Sequence, residues 1–172
     1  MSETTWHHPA CIPDEELLKA CDTARGRSGG PGGQHRNKVE TLVTLTHRPS
    51  GIQAHAGERR SQIENKHVAL RRLRLALAVG IRDGVPTGEI GSTLWRSRRS
   101  SGKIVCNPDH HDFPALLAEA LDVLAACGWE TRKAALRLEV SATQLLRLVK
   151  NHPPALVLSN AQREDRGLHA LL

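Results

Sequence analysis

Thr41-Leu42-Val43-Thr44-Leu45-Thr46-His47-Arg48-Pro49-Ser50-Gly51-Ile52-Gln53-Ala54-His55-Ala56 is the stretch on which the fold turns. Its first seven residues are rich in β-branched side chains and alternate as a half-buried strand does, with Leu42 and other apolar positions assigned to the inward side. Pro49-Ser50-Gly51 supplies a turn, and Ile52 to Ala56 returns as the partner strand. From Glu58 to about Val79 no Gly or Pro interrupts the chain, and Ile63, Leu70, Leu73 and Leu77 recur at helical spacing. A hairpin with a long amphipathic helix laid upon it is an α+β arrangement. The other side of that helix carries Arg59, Arg60, Lys66, Arg71, Arg72 and Arg74, with Glu64 as the sole acid after Glu58. Solubility would be served equally by mixed charge, so this row reads as a face for a phosphate backbone.

Upstream, Asp14 with Glu15 and Glu16 opens a short helix to about Ala20, and Cys21 to Arg27 reads as an edge strand. Downstream, Gly84, Pro86, Gly88, Gly91 and Gly102 break all periodicity, and Arg96-Ser97-Arg98-Arg99-Ser100-Ser101 has the composition of a basic linker. Three helical stretches follow: Phe113 to Cys127, Glu130 to about Leu138, and Ser141 to about Lys150. Ser141 caps the last, and Pro153-Pro154 stops it. The expected organisation is a first domain over 1–80, a linker over 81–107 and a helical domain over 108–172. Thr131 to Lys150 resembles a helix-turn-helix of the Fis type, with Glu139 where the turn glycine usually stands. A plain helical bundle, an RNA or ribosome contact and DNA binding all remain open for it.

The net charge is +6 over 172 residues, and it is unevenly placed: Arg25 to Arg99 holds 15 Lys and Arg against 5 acids, whereas Lys103 to Leu172 holds 8 of each. A polyanionic partner is expected for the basic stretch. Aromatics are only 2%, which excludes a nucleic-acid surface built on base stacking. No stretch suits a membrane span or a secretion signal, so a cytoplasmic protein with no membrane partner is expected. The four cysteines show no Cys-x-x-Cys spacing and read as reduced thiols. His7-His8 with Cys11, and His110-His111 with Asp109, each lack the second ligand pair of a tetrahedral site and read as structural or surface groups, so no metal is assigned.

Between the edge strand and the hairpin lies Arg27-Ser28-Gly29-Gly30-Pro31-Gly32-Gly33-Gln34-His35-Arg36-Asn37-Lys38. Four glycines in five residues, interrupted by Pro31, permit backbone angles closed to other residues and a close approach to a substrate. An excursion of this length reaches about 15 Å from the body. Gly32-Gly33-Gln34, Asn37-Lys38, His47-x-Pro49-Ser50-Gly51, Glu58-Arg59-x-Ser61-Gln62-x-x-Asn65-Lys66 and Leu73-Arg74 together resemble the catalytic domain of the class I peptide chain release factors, from Arg27 to Leu77.

That resemblance implies hydrolysis of the ester between nascent peptide and tRNA in the ribosomal peptidyl transferase centre. Gly32 and Gly33 would set the backbone, the Gln34 N–H would stabilise the developing oxyanion, and the Gln34 side chain would place the water. No cofactor is needed for this, and His35 is not required as a base. Arg27, Arg36, Lys38, Arg59, Arg60 and Lys66, with Arg96, Arg98 and Arg99 of the linker, would contact RNA. Expected partners are ribosomal RNA, peptidyl-tRNA and a glutamine methyltransferase acting on Gln34. The family usually has Ser at Gly29 and a small apolar residue at Arg36. With 26 residues ahead of Arg27 a codon-reading domain is not expected, which points to codon-independent, ribosome-rescue hydrolysis. The alternative is a non-catalytic RNA-, DNA- or ribosome-binding factor that uses the basic face and the C-terminal helices.

Overall fold

A computed structural model describes residues 6–26, 41–86 and 90–171. The elements run α1 (Asp14–Lys19), β1 (Cys21–Gly26), β2 (Leu42–His47), β3 (Gln53–Ala56), α2 (Gln62–Gly80), α3 (Thr93–Arg98), β4 (Arg99–Ser100), β5 (Lys103–Ile104), α4 (Phe113–Ala126), α5 (Thr131–Arg137), α6 (Ala142–Lys150) and α7 (Pro153–Glu164). The chain is therefore α+β. Strands β1, β2 and β3 form one antiparallel sheet in sequence order, with Cys21 opposite His47, Gly26 opposite Leu42, and Val43 opposite Ala56.

The inward face of β2 differs from the expected one. Val43, Leu45 and His47 are buried, and Leu42 lies half-exposed on the other face. Because strand side chains alternate, a parity that collects two apolar residues prevails over one that collects only Leu42 between threonines. His47 is accommodated because its Nδ1 lies 2.7 Å from the Ser50 hydroxyl, which also accepts from Ile52 N–H.

Helix α2 buries Ala69, Leu70, Leu73 and Leu77 and packs against β2, β3 and α4. Ile63, read as part of the apolar row, is instead 71% exposed. It lies in the first turn of α2. Helix α4 is buried nearly all round, as expected of a helix apolar on every side. Its two acids, Glu119 and Asp122, are buried with it and fully engaged. Glu119 accepts from Ser92 N–H and Oγ at 2.7 Å each, and Asp122 accepts from Trp6 Nε1 and Asp83 N–H and pairs with Arg82.

The stretch with a linker's composition is structured. Ser92 caps α3, Trp95 is buried with its Nε1 donating to Leu138 O at 3.0 Å, and β4 and β5 form a hairpin. Ser101 at φ 49° and Gly102 at φ 71° form its two-residue turn, in which both residues require positive φ. One cluster of buried residues runs from Trp6 through the sheet, α2 and Trp95 to α4, α5, α6 and Ala155. Pro153-Pro154 does not end the helical region but opens α7, since proline at the first helical position lacks only an N–H that the helix would not use. Four helices, not three, therefore form the C-terminal part.

Burial holds His8, His47 and His152 below the ordinary histidine value of 6.5, with Arg48 adding at His47 and Arg71 at His152. A depressed folded-state value means the unfolded chain binds the proton first. The stability these groups contribute is thus present above pH 6.5 and lost as pH falls through the lowered values. Burial raises Glu119 and Asp122, which acts in the opposite sense. The His47 share is isolated by comparing urea midpoints at about pH 7.5 and pH 5.5 for the native chain and His47→Gln. The native chain loses more between the two pH values, and equal losses would contradict this assignment.

Candidate functional site

The glycine-rich segment with Arg27, Gly32, Gly33, Gln34, Arg36 and Lys38 lies outside the described residues, but both of its attachment points lie within them. Strand β1 ends at Gly26 and β2 begins at Leu42, which are partners across the sheet, so the chain leaves and re-enters at one end of the sheet. At that same end β3 finishes at Ala56, opposite Val43, and the turn 57–61 leads into α2.

Asn65 binds these parts together. Fully buried in the first turn of α2, its Nδ2 donates to Thr41 O at 2.7 Å and to Arg59 O at 3.0 Å, and its Oδ1 accepts from Arg59 N–H at 2.9 Å. One side chain thus fixes the residue that precedes β2 to the turn that carries Arg59 and Arg60. Sequence reading placed Asn65 within a motif without a role. The signal was available: Asn65, Ala69, Leu73 and Leu77 form one row at spacing four, so the asparagine had to be buried and therefore hydrogen-bonded. Replacing it by alanine leaves three backbone groups without this partner, some of which water can reach, and should cost about 2–3 kcal/mol. Urea denaturation of Asn65→Ala checks this, and a loss below about 0.5 kcal/mol would contradict the clamp.

Glu58 supports the same turn. Its carboxylate receives Arg72 at 2.7 and 3.3 Å and the Gly57 N–H at 3.0 Å, and Arg72 also donates to His55 O. The backbone N–H groups of Glu58 and Gly57, with Arg72 as a lesser contributor, hold this carboxyl below its ordinary value. What remains at this end is a cationic cluster: Arg59, Arg60 and Lys66 are exposed, and none of their side chains pairs with an acid among the described residues. The exposed Ile63 lies between them in sequence.

The longer phosphate-facing row expected along α2 is not present. Arg71 donates to Pro108 O and Asp109, Arg72 to Glu58, and Arg74 to Asp14, Ala10 O and Ile12 O. These three arginines hold the chain together internally, because carboxylates and carbonyls from α1 and the segment ahead of α4 stand within reach of that face. Of the remaining expected RNA contacts, Arg96 is exposed, Arg98 pairs with Asp112 at 2.5 Å, and Arg99 pairs with Glu139.

His8 of the first histidine cluster is buried, its Nε2 3.1 Å from Ile81 O and its Nδ1 accepting from Ala10 N–H, so both ring nitrogens serve the fold. In the second cluster Asp109 stands on Arg71 rather than with the histidines. His110, His111 and Asp112 bring ligand atoms within 4.8 Å of one another, although Asp112 already receives the Arg98 guanidinium. The Cys11 thiol is pushed up to about 12 by burial, which makes it a poor nucleophile. No helix among the described residues is long and apolar enough to cross a membrane.

Residues 12–84 match the RF-1 domain family. Among curated proteins the chain is 48% identical over 68 residues to the chloroplastic peptide chain release factor PrfB1 of Arabidopsis thaliana, covering 40% of this chain and 14% of that protein. It is 55% identical over 66 residues to peptide chain release factor 1 of Chlorobaculum tepidum, covering 38% and 17% respectively. With peptide chain release factor 1 of Symbiobacterium thermophilum it shares 50% identity over 52 residues, 30% of this chain and 15% of that one. The matched part thus spans only about a seventh of the length of these relatives.

Proposed function

We propose, from the match of residues 12–84 to the RF-1 domain family, that this chain hydrolyses the ester joining nascent peptide to tRNA on the ribosome, without reading a codon. The observation that carries the reading is the anchoring of the Gly32-Gly33-Gln34 segment. Gly26 and Leu42, which flank it in the chain, are partners across β1 and β2, and the Asn65 clamp joins Thr41 to the cationic turn. A catalytic tip needs such a base, since donors must be held where charge develops.

In this mechanism a water oxygen bonds to the ester carbonyl carbon, and the Gln34 N–H donates to the oxygen that becomes negative. The carbon–oxygen bond to the tRNA ribose then breaks, and the ribose oxygen leaves with a proton. Gly32 and Gly33 allow the backbone to present that N–H, and the Gln34 side chain positions the water. Arg59, Arg60 and Lys66, with Arg27, Arg36 and Lys38, neutralise phosphates of the surrounding RNA, and Arg96 extends the contact. Arg98 and Arg99 reach RNA only by leaving Asp112 and Glu139. Gln34 is the substrate of a glutamine methyltransferase, and the site of action is the cytoplasmic ribosome.

Residues beyond 84 form a helical unit outside the family match, and it packs directly on α2 through α4. The test is release of labelled peptide from ribosomes holding peptidyl-tRNA on a truncated message, with free peptidyl-tRNA as the second substrate. Release from the ribosomal substrate alone is expected. Release no faster than spontaneous hydrolysis would overturn the proposal.

A further inference from the structure

The charge balance of the C-terminal unit conceals its surface. Residues 103–172 carry 8 acids and 8 Lys and Arg. Asp109, Asp112, Asp122 and Glu139 pair with Arg71, Arg98, Arg82 and Arg99, all of which lie outside this segment. Glu119 is buried against Ser92, and Glu130 pairs with Lys133. The remaining acids, Glu164 and Asp165, lie at the end of α7. The unit's own exposed cations Lys103, Arg132, Arg137, Arg147 and Lys150 have no acidic partner among the described residues. Sequence neutrality therefore hides a positive outer surface.

These cations surround a defined geometry. Helices α5 and α6 are joined by a tight turn in which Glu139 takes the left-handed conformation, φ 53°, where glycine is usual, and its carboxylate holds Arg99 of β4. The hairpin turn is fastened to the start of α6 by Ser141 N–H donating to Gly102 O at 3.0 Å, and Ser141 Oγ caps the helix. Leu145, Leu148 and Val149 bury one side of α6, which leaves Thr143, Arg147 and Lys150 exposed at spacings of four and three on the other. The hairpin held at the start of α6 exposes Ser100, Ser101 and Lys103.

We infer that α6 and the β4–β5 hairpin form a second docking surface, which grips the sugar-phosphate backbone of folded RNA. Cations supply the phosphate contacts, and the hydroxyls of Ser100, Ser101 and Thr143 suit a ribose 2′-OH, the group that separates RNA from DNA. The choice of RNA rests on the ribosomal reading of the preceding section, whereas the surface itself does not. It would dock the chain independently of the glycine loop.

The test measures binding of the full chain to an RNA hairpin, and to the DNA hairpin of the same sequence, across a salt series. Compared with the native protein are Arg147→Glu/Lys150→Glu, the milder Arg147→Gln/Lys150→Gln, and Gly33→Ala. The reversed variant should bind RNA at least about tenfold more weakly, with a salt slope shallower by about two. The glutamine variant should be intermediate, and Gly33→Ala should bind as the native chain does. Thermal unfolding of the variants verifies that they fold, and if the reversed one does not, the glutamine variant decides. Unchanged affinity and salt slope, or DNA bound as tightly as RNA, would overturn the inference. Binding requires no peptide release, so failure of the catalytic proposal leaves this result readable.

Discussion

Gly33→Ala is expected to abolish peptide release, by on the order of 10²–10³ in rate, while leaving folding and ribosome binding intact. A methyl group at that position restricts the backbone and takes up space. Glycine reaches backbone angles closed to alanine, and a β-carbon also occupies space the main chain needs when it approaches a substrate. If the Gln34 N–H is the donor to the developing oxyanion, any turn of the preceding peptide plane misdirects it. Gln34→Ala should be milder, since it keeps the N–H and loses only the group that positions water. Single-turnover release of labelled peptide, run alongside ribosome co-sedimentation, separates chemistry from binding. A Gly33→Ala variant that releases at the native rate would remove the loop from the mechanism.

Trp95→Ala should be the most destabilising single substitution, at about 4–8 kcal/mol. Trp95 is 1% exposed, so its removal carries the cavity cost of a large aromatic, about 3–5 kcal/mol. It also strips the donor from Leu138 O, and an unpaired buried carbonyl costs about 1–3 kcal/mol. Small domains are stable by only about 5–15 kcal/mol, so this change approaches the whole of it. Trp95→Phe separates the parts: it keeps much of the buried area and should lose about 1–3 kcal/mol, chiefly from the carbonyl. Urea titration of both variants measures this. Equal losses would mean that the buried aromatic area contributes nothing, and a Trp95→Phe loss near zero would mean that the indole hydrogen bond contributes nothing.

Trp95 also marks where the sequence misleads. Gly, Ser and Arg around it have the composition of a linker, and only the three-dimensional contact with Leu138 shows that the segment belongs to the core. The Ser101-Gly102 turn was hidden for the same reason, since a two-residue positive-φ loop between two-residue strands leaves almost no alternation to detect. The elements 42–56 and 62–80 were legible because periodicity, turn chemistry and helix length all agreed there. The face of β2 was not, because Leu42 and Val43 are adjacent and the buried His47 weakens the correct parity.

At the site, the motif residues were legible as a set but their duties were not. Glu58 and Asn65 organise the turn, and Arg59, Arg60 and Lys66 remain facing outward. Charge alone could not separate these cations from Arg71, Arg72 and Arg74, whose acidic partners lie 38, 14 and 60 residues away in the chain. The same long-range pairing explains why a neutral C-terminal composition coexists with unpaired cations.

The most direct test compares peptide release from ribosomes whose message is truncated in the A site with release from ribosomes presenting a stop codon there. Codon-independent hydrolysis predicts release on the truncated message at a rate at least equal to that on the stop codon. Release confined to the stop codon would contradict it.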